Sequence, residues 1–302
     1  MRNVPNLRGV IVPLVTPFNR TGGLDEAALR DLIEFLLGTR VHGLFPGGTT
    51  GEAPLLTDEE RRRVAETTVS AANGRVPVIV QTGATSTDAT IALTRHAREI
   101  GADAAAIVTP HYFRLSDEAL VQHYVRVAEA VPDYPLFLYN IPQLTGNNLV
   151  PSLVAEIARR CPNVVGMKDS WGNLTQIIDS RDAAGGDFQV AIGGDGLILS
   201  ALAVGIPAAV SGHANPCPEL FVELFEAFWR GDAAAAASAQ ARVQLVRRIL
   251  KDGGDMSLLK AVVSYRGIPV GGVRAPLLDA PSDVVDRCLR DLADRGITLT
   301  HV

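Results

Sequence analysis

The chain alternates between short apolar runs and longer stretches in which apolar residues recur at helical spacing. Eight of the short runs are almost continuously apolar, which is typical of strands that are buried on both faces. The longer stretches, such as 25–38 and 57–74, begin at capping-type or acidic residues and end near glycine, which predicts helices. The predicted strands are 9–15, 41–47, 76–83, 104–110, 135–140, 164–169, 188–194 and 207–212.

Eight strands that recur roughly every 20 to 35 residues, with a helix after each, predict parallel pairing and an α/β fold. Eight such units in this length fit a (β/α)8 TIM barrel, which we assign to residues 1–225. The remaining residues, 226–302, contain an alanine-rich helix former and further helical stretches, and we expect additional C-terminal helices packed on the barrel. A doubly wound open sheet is the alternative, but no GxGxxG motif follows the first strand.

Composition narrows the class of protein. The 302 residues are 47% apolar, which is ample for a full core, and the net charge of −5 leaves no basic footprint for nucleic acid. No apolar run approaches the roughly 20 residues that span a bilayer, and the first residues lack the layout of a signal peptide. The three cysteines are widely scattered, which argues against a disulfide framework. We therefore expect a soluble, cytoplasmic protein without a nucleic-acid or membrane partner.

A lysine stands near the end of the sixth predicted strand, in the stretch VVGMKDS at 164–170. An ammonium group is costly to bury unless it is paired or neutralised, so Lys168 needs an explanation. One explanation is catalytic, because desolvation favours the neutral amine, which can attack a carbonyl carbon and form a Schiff base. The other is structural, an ion pair with the neighbouring Asp169. No other predicted strand contains a lysine.

Other polar residues follow neighbouring strands, where a barrel enzyme builds its active site. Tyr139 ends the fifth strand, and its phenol can serve the proton transfers that imine chemistry needs. Thr50 can relay a proton by hydroxyl hydrogen bonds to a second phenol, Tyr112. Gly48 lies in a glycine-rich loop whose backbone N–H groups can face a small carboxylate. The structural alternatives are a core role for Tyr139 and a turn role for Thr50.

Five motifs occur in order along nearly the whole chain. They resemble the pyruvate-dependent class I aldolase family of dihydrodipicolinate synthase and N-acetylneuraminate lyase. A single motif of this kind is weak, but five at family spacing are specific. The motifs are GGTTGE at 47–52, TPHY at 109–112, YNIP at 139–142, GMKDS at 166–170 and a run around Lys260.

The resemblance implies Lys168 as the imine-forming lysine and Tyr139 as the proton-transfer residue. It implies Thr49 and Thr50 as carboxylate and relay contacts, with Tyr112 reaching in from a neighbouring subunit. It also implies pyruvate and an aldehyde or keto acid as substrates, a homotetramer built as a dimer of dimers, and no metal or organic cofactor.

One departure from the family pattern bears on the substrate. In dihydrodipicolinate synthases an arginine in the stretch YNxPxRTG binds the carboxylate of the second substrate, and here Leu144 stands at that place. Losing a bidentate carboxylate contact is expected to cost on the order of 2 kcal/mol or more for an acidic aldehyde. Leucine resembles the sialate-lyase branch, so we expect a neutral, hydroxylated aldehyde and a 2-keto-3-deoxy sugar acid. Asp195 and Ser211 are candidate hydroxyl-binding residues.

Four other functions stay open at this point. The same imine chemistry fits 4-hydroxy-tetrahydrodipicolinate synthase, if an arginine from elsewhere binds the carboxylate, and it fits a dehydratase of deoxy-keto acids. A barrel that kept the scaffold without catalysis would be a binding protein. A metal-assisted aldolase would require the carboxylates of Glu52, Asp169 and Asp195 to converge.

Overall fold

The computed structural model describes residues 4–251 and 254–301. Each of the eight predicted strands is present, and each observed strand lies within its predicted range. The strands are β1 (Gly9–Pro13), β2 (Gly43–Phe45), β3 (Ile79–Gln81), β4 (Ala104–Val108), β5 (Leu136–Asn140), β6 (Val164–Asp169), β7 (Gln189–Ile192) and β8 (Ala208–Val210).

The eight strands form one parallel sheet in the order β2-β1-β8-β7-β6-β5-β4-β3. Neighbours in the sheet are thus neighbours in sequence, apart from the pairing of β1 with β8, which curls the sheet into a nearly closed (β/α)8 barrel. The predicted fold class is confirmed, and the doubly wound alternative is wrong, because that fold reverses its strand order part way along the sheet.

Helices lie between the strands, and four more helices follow β8 in the described part of the chain. No helix in 4–251 and 254–301 is long and apolar enough to cross a membrane. The helices are α1 (Glu26–Gly38), α2 (Asp58–Ala72), α3 (Thr87–Glu99), α4 (Asp117–Ala130), α5 (Pro142–Thr145), α6 (Pro151–Arg160), α7 (Leu174–Ala184), α8 (Ile198–Ala203), α9 (Pro218–Trp229), α10 (Ala233–Ile249), α11 (Met256–Tyr265) and α12 (Ser282–Asp294).

Side-chain caps explain where several helices begin. The Asp25 side chain accepts a hydrogen bond from the Ala28 N–H at the start of α1. At the start of α2, Thr57 and Glu60 form the reciprocal bonds of a capping box. Each satisfies backbone donors that the first helical turn leaves without a partner.

The structure divides into two compact units. The first contains the residues through Arg8 and Pro77–Val210, which carry β3 to β8 and α3 to α8. The strands β4 and β5 are buried along their whole length. The second unit contains Gly9–Val76 and the chain from Ser211 onward, which carry β1, β2, α1, α2 and α9 to α12. The predicted division into a barrel at 1–225 and a helical extension at 226–302 stays a prediction.

His123 is a buried titratable group on α4. It is 4% exposed, its Nδ1 lies 3.0 Å from the Thr87 hydroxyl, and its Nε2 has no hydrogen-bond partner among the residues described. Burial, with a smaller contribution from the Arg126 charge, lowers its pKa to about 4 from the usual 6.5. The folded protein therefore keeps this imidazole neutral through the mildly acidic range.

This burial predicts a pH dependence of stability. Between pH 6.5 and about 4 the unfolded chain protonates His123 and the folded protein does not, so the free energy of unfolding should fall as the pH drops through this window. The expected loss is on the order of 3 kcal/mol by pH 4. Urea denaturation of wild type and His123→Gln at several pH values measures it. The wild-type curve should fall relative to the variant below pH 6.5 and run parallel to it above pH 7.5; parallel curves throughout would contradict the prediction.

Candidate active site

In the first unit, Lys168 and Tyr139 lie side by side at the carboxyl ends of β6 and β5. The two residues are partners in the parallel register, so their side chains point to the same face of the sheet. Tyr139 is 1% exposed and Lys168 is 7% exposed. The Lys168 Nζ lies 4.0 Å from the centroid of the Tyr139 ring. The structure thus brings together the two residues on which the sequence hypothesis depends most.

This contact gives the amine an environment that differs from water. The ring face of Tyr139 covers one side of Nζ, so that the amine lies against an aromatic surface there. The residue as a whole keeps a small exposed fraction of 7%. A buried amine beside a phenol is suited to imine chemistry.

Asp169, the neighbour of Lys168 in sequence, has other partners. Its Oδ2 accepts a hydrogen bond of 2.7 Å from the Asn140 side chain, and its Oδ1 accepts one of 2.8 Å from the Trp171 N–H. Burial raises the pKa of this carboxyl group, and the two hydrogen bonds oppose that effect. Successive strand residues point to opposite faces, so the carboxylate lies behind the sheet from Lys168. The partners of the Asp169 carboxylate are therefore Asn140 and the Trp171 N–H, and not the Lys168 amine that the structural alternative assumed.

The first unit also holds Tyr112, Leu144 and Asp195. Tyr112 follows β4 with a φ of 81°, a left-handed backbone that is rare for a bulky residue, and its side chain is 86% exposed. Leu144 lies on α5 and is 61% exposed. Asp195 follows β7 and is buried. Their predicted roles in proton relay and substrate binding stay predictions.

The second unit holds Gly48, Thr49, Thr50 and Ser211. The first three form the loop after β2, and Thr50 is buried while Thr49 is half-buried. Ser211 follows β8 and is 1% exposed, and its hydroxyl has no hydrogen-bond partner among the residues described. The next residue is Gly212, where a Cβ atom would lie 3.2 Å from the Thr50 hydroxyl, so the turn after β8 packs closely against this loop.

A buried ion pair fixes the end of the same loop. Glu52 adopts a left-handed backbone with φ of 57°, and its Oε1 accepts a 3.0 Å hydrogen bond from the Nζ of Lys260 on α11. Its Oε2 accepts a 2.8 Å bond from the Arg274 N–H. The Lys260 amine also lies 4.2 Å from the Phe18 ring centroid. Burial lowers the pKa of Lys260, and the Glu52 charge opposes that effect.

Two features of this arrangement were missing from the sequence hypothesis: the Asn140–Asp169 contact and the Glu52–Lys260 ion pair. Across 4–251 and 254–301, no three histidine, cysteine or acidic side chains are grouped so that they could hold a metal ion. The convergence of Glu52, Asp169 and Asp195 that a metal-assisted aldolase requires is therefore not observed. That the reaction needs no metal or organic cofactor stays a prediction.

The fold and the residues at its strand ends define a parallel barrel with a buried lysine beside a tyrosine. The chain belongs to the dihydrodipicolinate synthetase family, whose model matches residues 6–293. The resemblance drawn from the motifs is confirmed, and the protein is a lyase of this family.

Relatives with similar sequences carry two kinds of name. An uncharacterized DapA-like lyase of Halobacterium salinarum is 40% identical over 291 residues, which cover 96% of this chain and 95% of the relative. A 4-hydroxy-tetrahydrodipicolinate synthase of Methanoculleus marisnigri is 38% identical over 295 residues, covering 95% of this chain and 99% of the relative.

Solved structures agree with the family assignment. YagE, a prophage protein of the dihydrodipicolinic acid synthase family from E. coli K12, was solved in complex with pyruvate. It matches with a TM-score of 0.91 and 30% identity over 96% of this chain and 99% of its own. The dihydrodipicolinate synthase of Aquifex aeolicus matches with a TM-score of 0.91 and 32% identity, covering 97% and 99% of the two chains.

The Glu52–Lys260 pair predicts an asymmetric effect of substitution on stability. Lys260→Met leaves a buried carboxylate without its counter-charge and should lower the free energy of unfolding by about 3–5 kcal/mol. Adding Glu52→Gln removes the orphaned charge and keeps an acceptor for the Arg274 N–H, so the double variant should regain a large part of that loss. Urea denaturation measures both.

The control is Arg63→Met, which breaks the partly exposed ion pair of Arg63 with Glu26. Exposed pairs contribute little, so this variant should lose less than about 1 kcal/mol. A double variant that is no more stable than Lys260→Met alone would show that the buried charge is not the cause.

Proposed function

We propose that the protein is a Schiff-base lyase that holds pyruvate as an imine on Lys168 and makes or breaks a carbon–carbon bond between pyruvate and an aldehyde. The observation that carries this proposal is the buried Lys168 amine, 4.0 Å from the centroid of the Tyr139 ring. A pyruvate complex of the related YagE supports pyruvate as the keto acid. A non-catalytic binding protein would have no need for a buried amine of this kind.

The chemistry begins with attack of the neutral Lys168 Nζ on the C2 carbonyl carbon of the keto acid. The Tyr139 hydroxyl gives its proton to the departing hydroxyl of the carbinolamine, so water leaves, the tyrosine remains as a phenolate, and the lysine is held in a protonated imine that acts as an electron sink. In the cleavage direction, the Tyr139 phenolate oxygen takes the proton of the C4 hydroxyl, and the C3–C4 bond breaks. Its electrons form the enamine, and the aldehyde leaves. Tyr139 then gives the proton it took to C3 of the enamine, and addition of water to the resulting imine releases pyruvate, restores the neutral amine and returns a proton to Tyr139.

The remaining roles follow from the family resemblance. Thr49 and the loop at Gly48 would bind the pyruvate carboxylate, Thr50 would pass a proton towards a phenol, and Tyr112 would be supplied by a neighbouring subunit of a homotetramer. The high exposure of Tyr112 suits a side chain that acts in another subunit. These roles, the tetramer and a cytoplasmic location are predictions.

For the second substrate we propose a neutral hydroxylated aldehyde, so that the cleaved compound is a 2-keto-3-deoxy sugar acid. Leu144 supports this choice, because it offers no charge to a carboxylate and is 61% exposed on α5, the short helix that follows β5. Asp195 and Ser211 are the candidate hydroxyl-binding residues. The second candidate function is 4-hydroxy-tetrahydrodipicolinate synthase, which is the name of several relatives at about the same identity.

Trapping of the imine tests the lysine chemistry. Treatment with pyruvate and borohydride should add one reduced pyruvyl group to the wild-type protein, and peptide mapping should place it on Lys168. Lys168→Ala should gain no adduct, whereas Lys251→Ala, which removes an exposed lysine, should react like wild type. EDTA in the mixture should change nothing. A wild-type protein that stays unmodified would contradict the proposed mechanism.

A comparison of aldehydes tests the substrate. Pyruvate consumption should proceed with neutral hydroxyaldehydes such as glyceraldehyde and be slow with aspartate semialdehyde. Leu144→Arg should raise the rate with aspartate semialdehyde by about thirtyfold, the equivalent of about 2 kcal/mol from a bidentate carboxylate contact. Leu144→Met is the control and should keep the wild-type preference. Fast condensation of the wild type with aspartate semialdehyde and none with hydroxyaldehydes would favour the synthase instead.

A further inference from the structure

The strands β5 and β6 each end in two polar residues, Tyr139 with Asn140 and Lys168 with Asp169. The register pairs Tyr139 with Lys168 and Asn140 with Asp169. Since side chains alternate along a strand, the first pair faces one side of the sheet and the second faces the other. The pair Asn140 and Asp169 therefore lies directly behind the pair Tyr139 and Lys168, on the opposite face of the sheet.

Asn140 and Asp169 are both 0% exposed, and every polar atom of the two side chains takes part in a hydrogen bond. Besides the 2.7 Å bond to Asp169, the Asn140 Nδ2 donates a 2.9 Å bond to the Asn148 side chain, and its Oδ1 accepts a 3.0 Å bond from the Leu149 N–H. The second oxygen of Asp169 accepts from the Trp171 N–H. We call this pair with its bonds the Asn140–Asp169 clamp.

The clamp joins the segments that follow both strands. Through Leu149 it holds the segment before α6, and through Trp171 it holds the turn after β6. Two further bonds connect the same segments: the Ser170 N–H donates to the Asn140 carbonyl over 2.9 Å, and the Gln143 side chain donates to the Ser170 carbonyl over 2.8 Å. The strand ends that carry Tyr139 and Lys168 cannot shift past one another without breaking these bonds.

We propose that Asn140 and Asp169 are positioning residues that hold the Tyr139 ring against the Lys168 amine. The inference rests on the proposed function of Lys168. Asp169 does not itself exchange protons with the substrate, because its carboxylate lies on the far face and both oxygens accept bonds from neutral N–H groups. Its contribution is geometric, and an error of about 1 Å at a reacting group reduces rates by about a hundredfold.

A swap of the two side chains tests the proposal. In Asp169→Asn the new side-chain NH2 group faces one of the two N–H donors that bind the carboxylate, so that one hydrogen bond is lost. In Asn140→Asp two carboxylates face each other. In the double variant Asn140→Asp/Asp169→Asn, the new amide at 169 donates to the new carboxylate at 140, so the contact is restored with its polarity reversed. The measured quantities are the rate of borohydride-trapped pyruvate adduct, kcat and KM for pyruvate, and the melting temperature.

Each single variant, measured where it is folded, should form the adduct about ten- to a hundredfold more slowly, with the loss in kcat rather than KM. The double variant should return to within a few-fold of wild type. The matched control is Asn163→Ala, just before β6, which removes another buried amide, one that donates to three backbone carbonyls. It should lower the melting temperature and leave the rate per folded molecule unchanged.

A milder variant covers the case in which the single variants do not fold. Asn148→Ala removes the outer bond of the clamp, together with the two bonds between Asn148 and Gln176, at a half-buried position and should slow adduct formation several-fold. A wild-type protein without adduct would overturn the proposed function and this role with it. A wild-type adduct together with unchanged rates in the variants, or a folded double variant that stays slow, would overturn the clamp alone.

Discussion

An ammonium group cannot be buried in an apolar barrel without compensation, and this constraint organises the structure around two lysines. Lys260 is 0% exposed and lies 3.0 Å from a Glu52 carboxylate oxygen, so it is enclosed and serves to hold a loop. Lys168 is 7% exposed and lies against the ring face of Tyr139. The first amine is thus paired with a carboxylate and fully enclosed, whereas the second lies against an aromatic ring in a residue that keeps a small exposed fraction.

The pattern of apolar residues was sufficient to predict the fold, because eight continuous runs between helical stretches leave few arrangements. It predicted strand ends less well: the run 9–15 contains β1 at Gly9–Pro13 and continues through Leu14 and Val15, because the ladder stops before the apolar character does. The division into two compact units joins residues 9–76 with the chain from 211 onward. That division depends on packing between segments that are remote in sequence, which hydropathy does not report.

Single unusual residues of the site could be predicted, whereas their supporting partners could not. A lysine at the end of an apolar strand and a tyrosine at the end of its neighbour are each conspicuous, and their contact then follows from the register. The Glu52–Lys260 bond joins residues 208 positions apart, and nothing in either local sequence indicates it. The sequence contains one indication of the Asn140–Asp169 contact: a second polar residue directly follows Tyr139, and another directly follows Lys168.

The alternation of side chains along β5 and β6 also settles what Asp169 does to its neighbour. A carboxylate paired with Lys168 would favour the charged amine, which is not a nucleophile. Because Asp169 points to the opposite face and its oxygens are held by Asn140 and the Trp171 N–H, its charge is satisfied by neutral donors. The same strand end therefore carries a buried carboxylate and a buried amine on successive residues, and the alternation of side chains places them on opposite faces of the sheet.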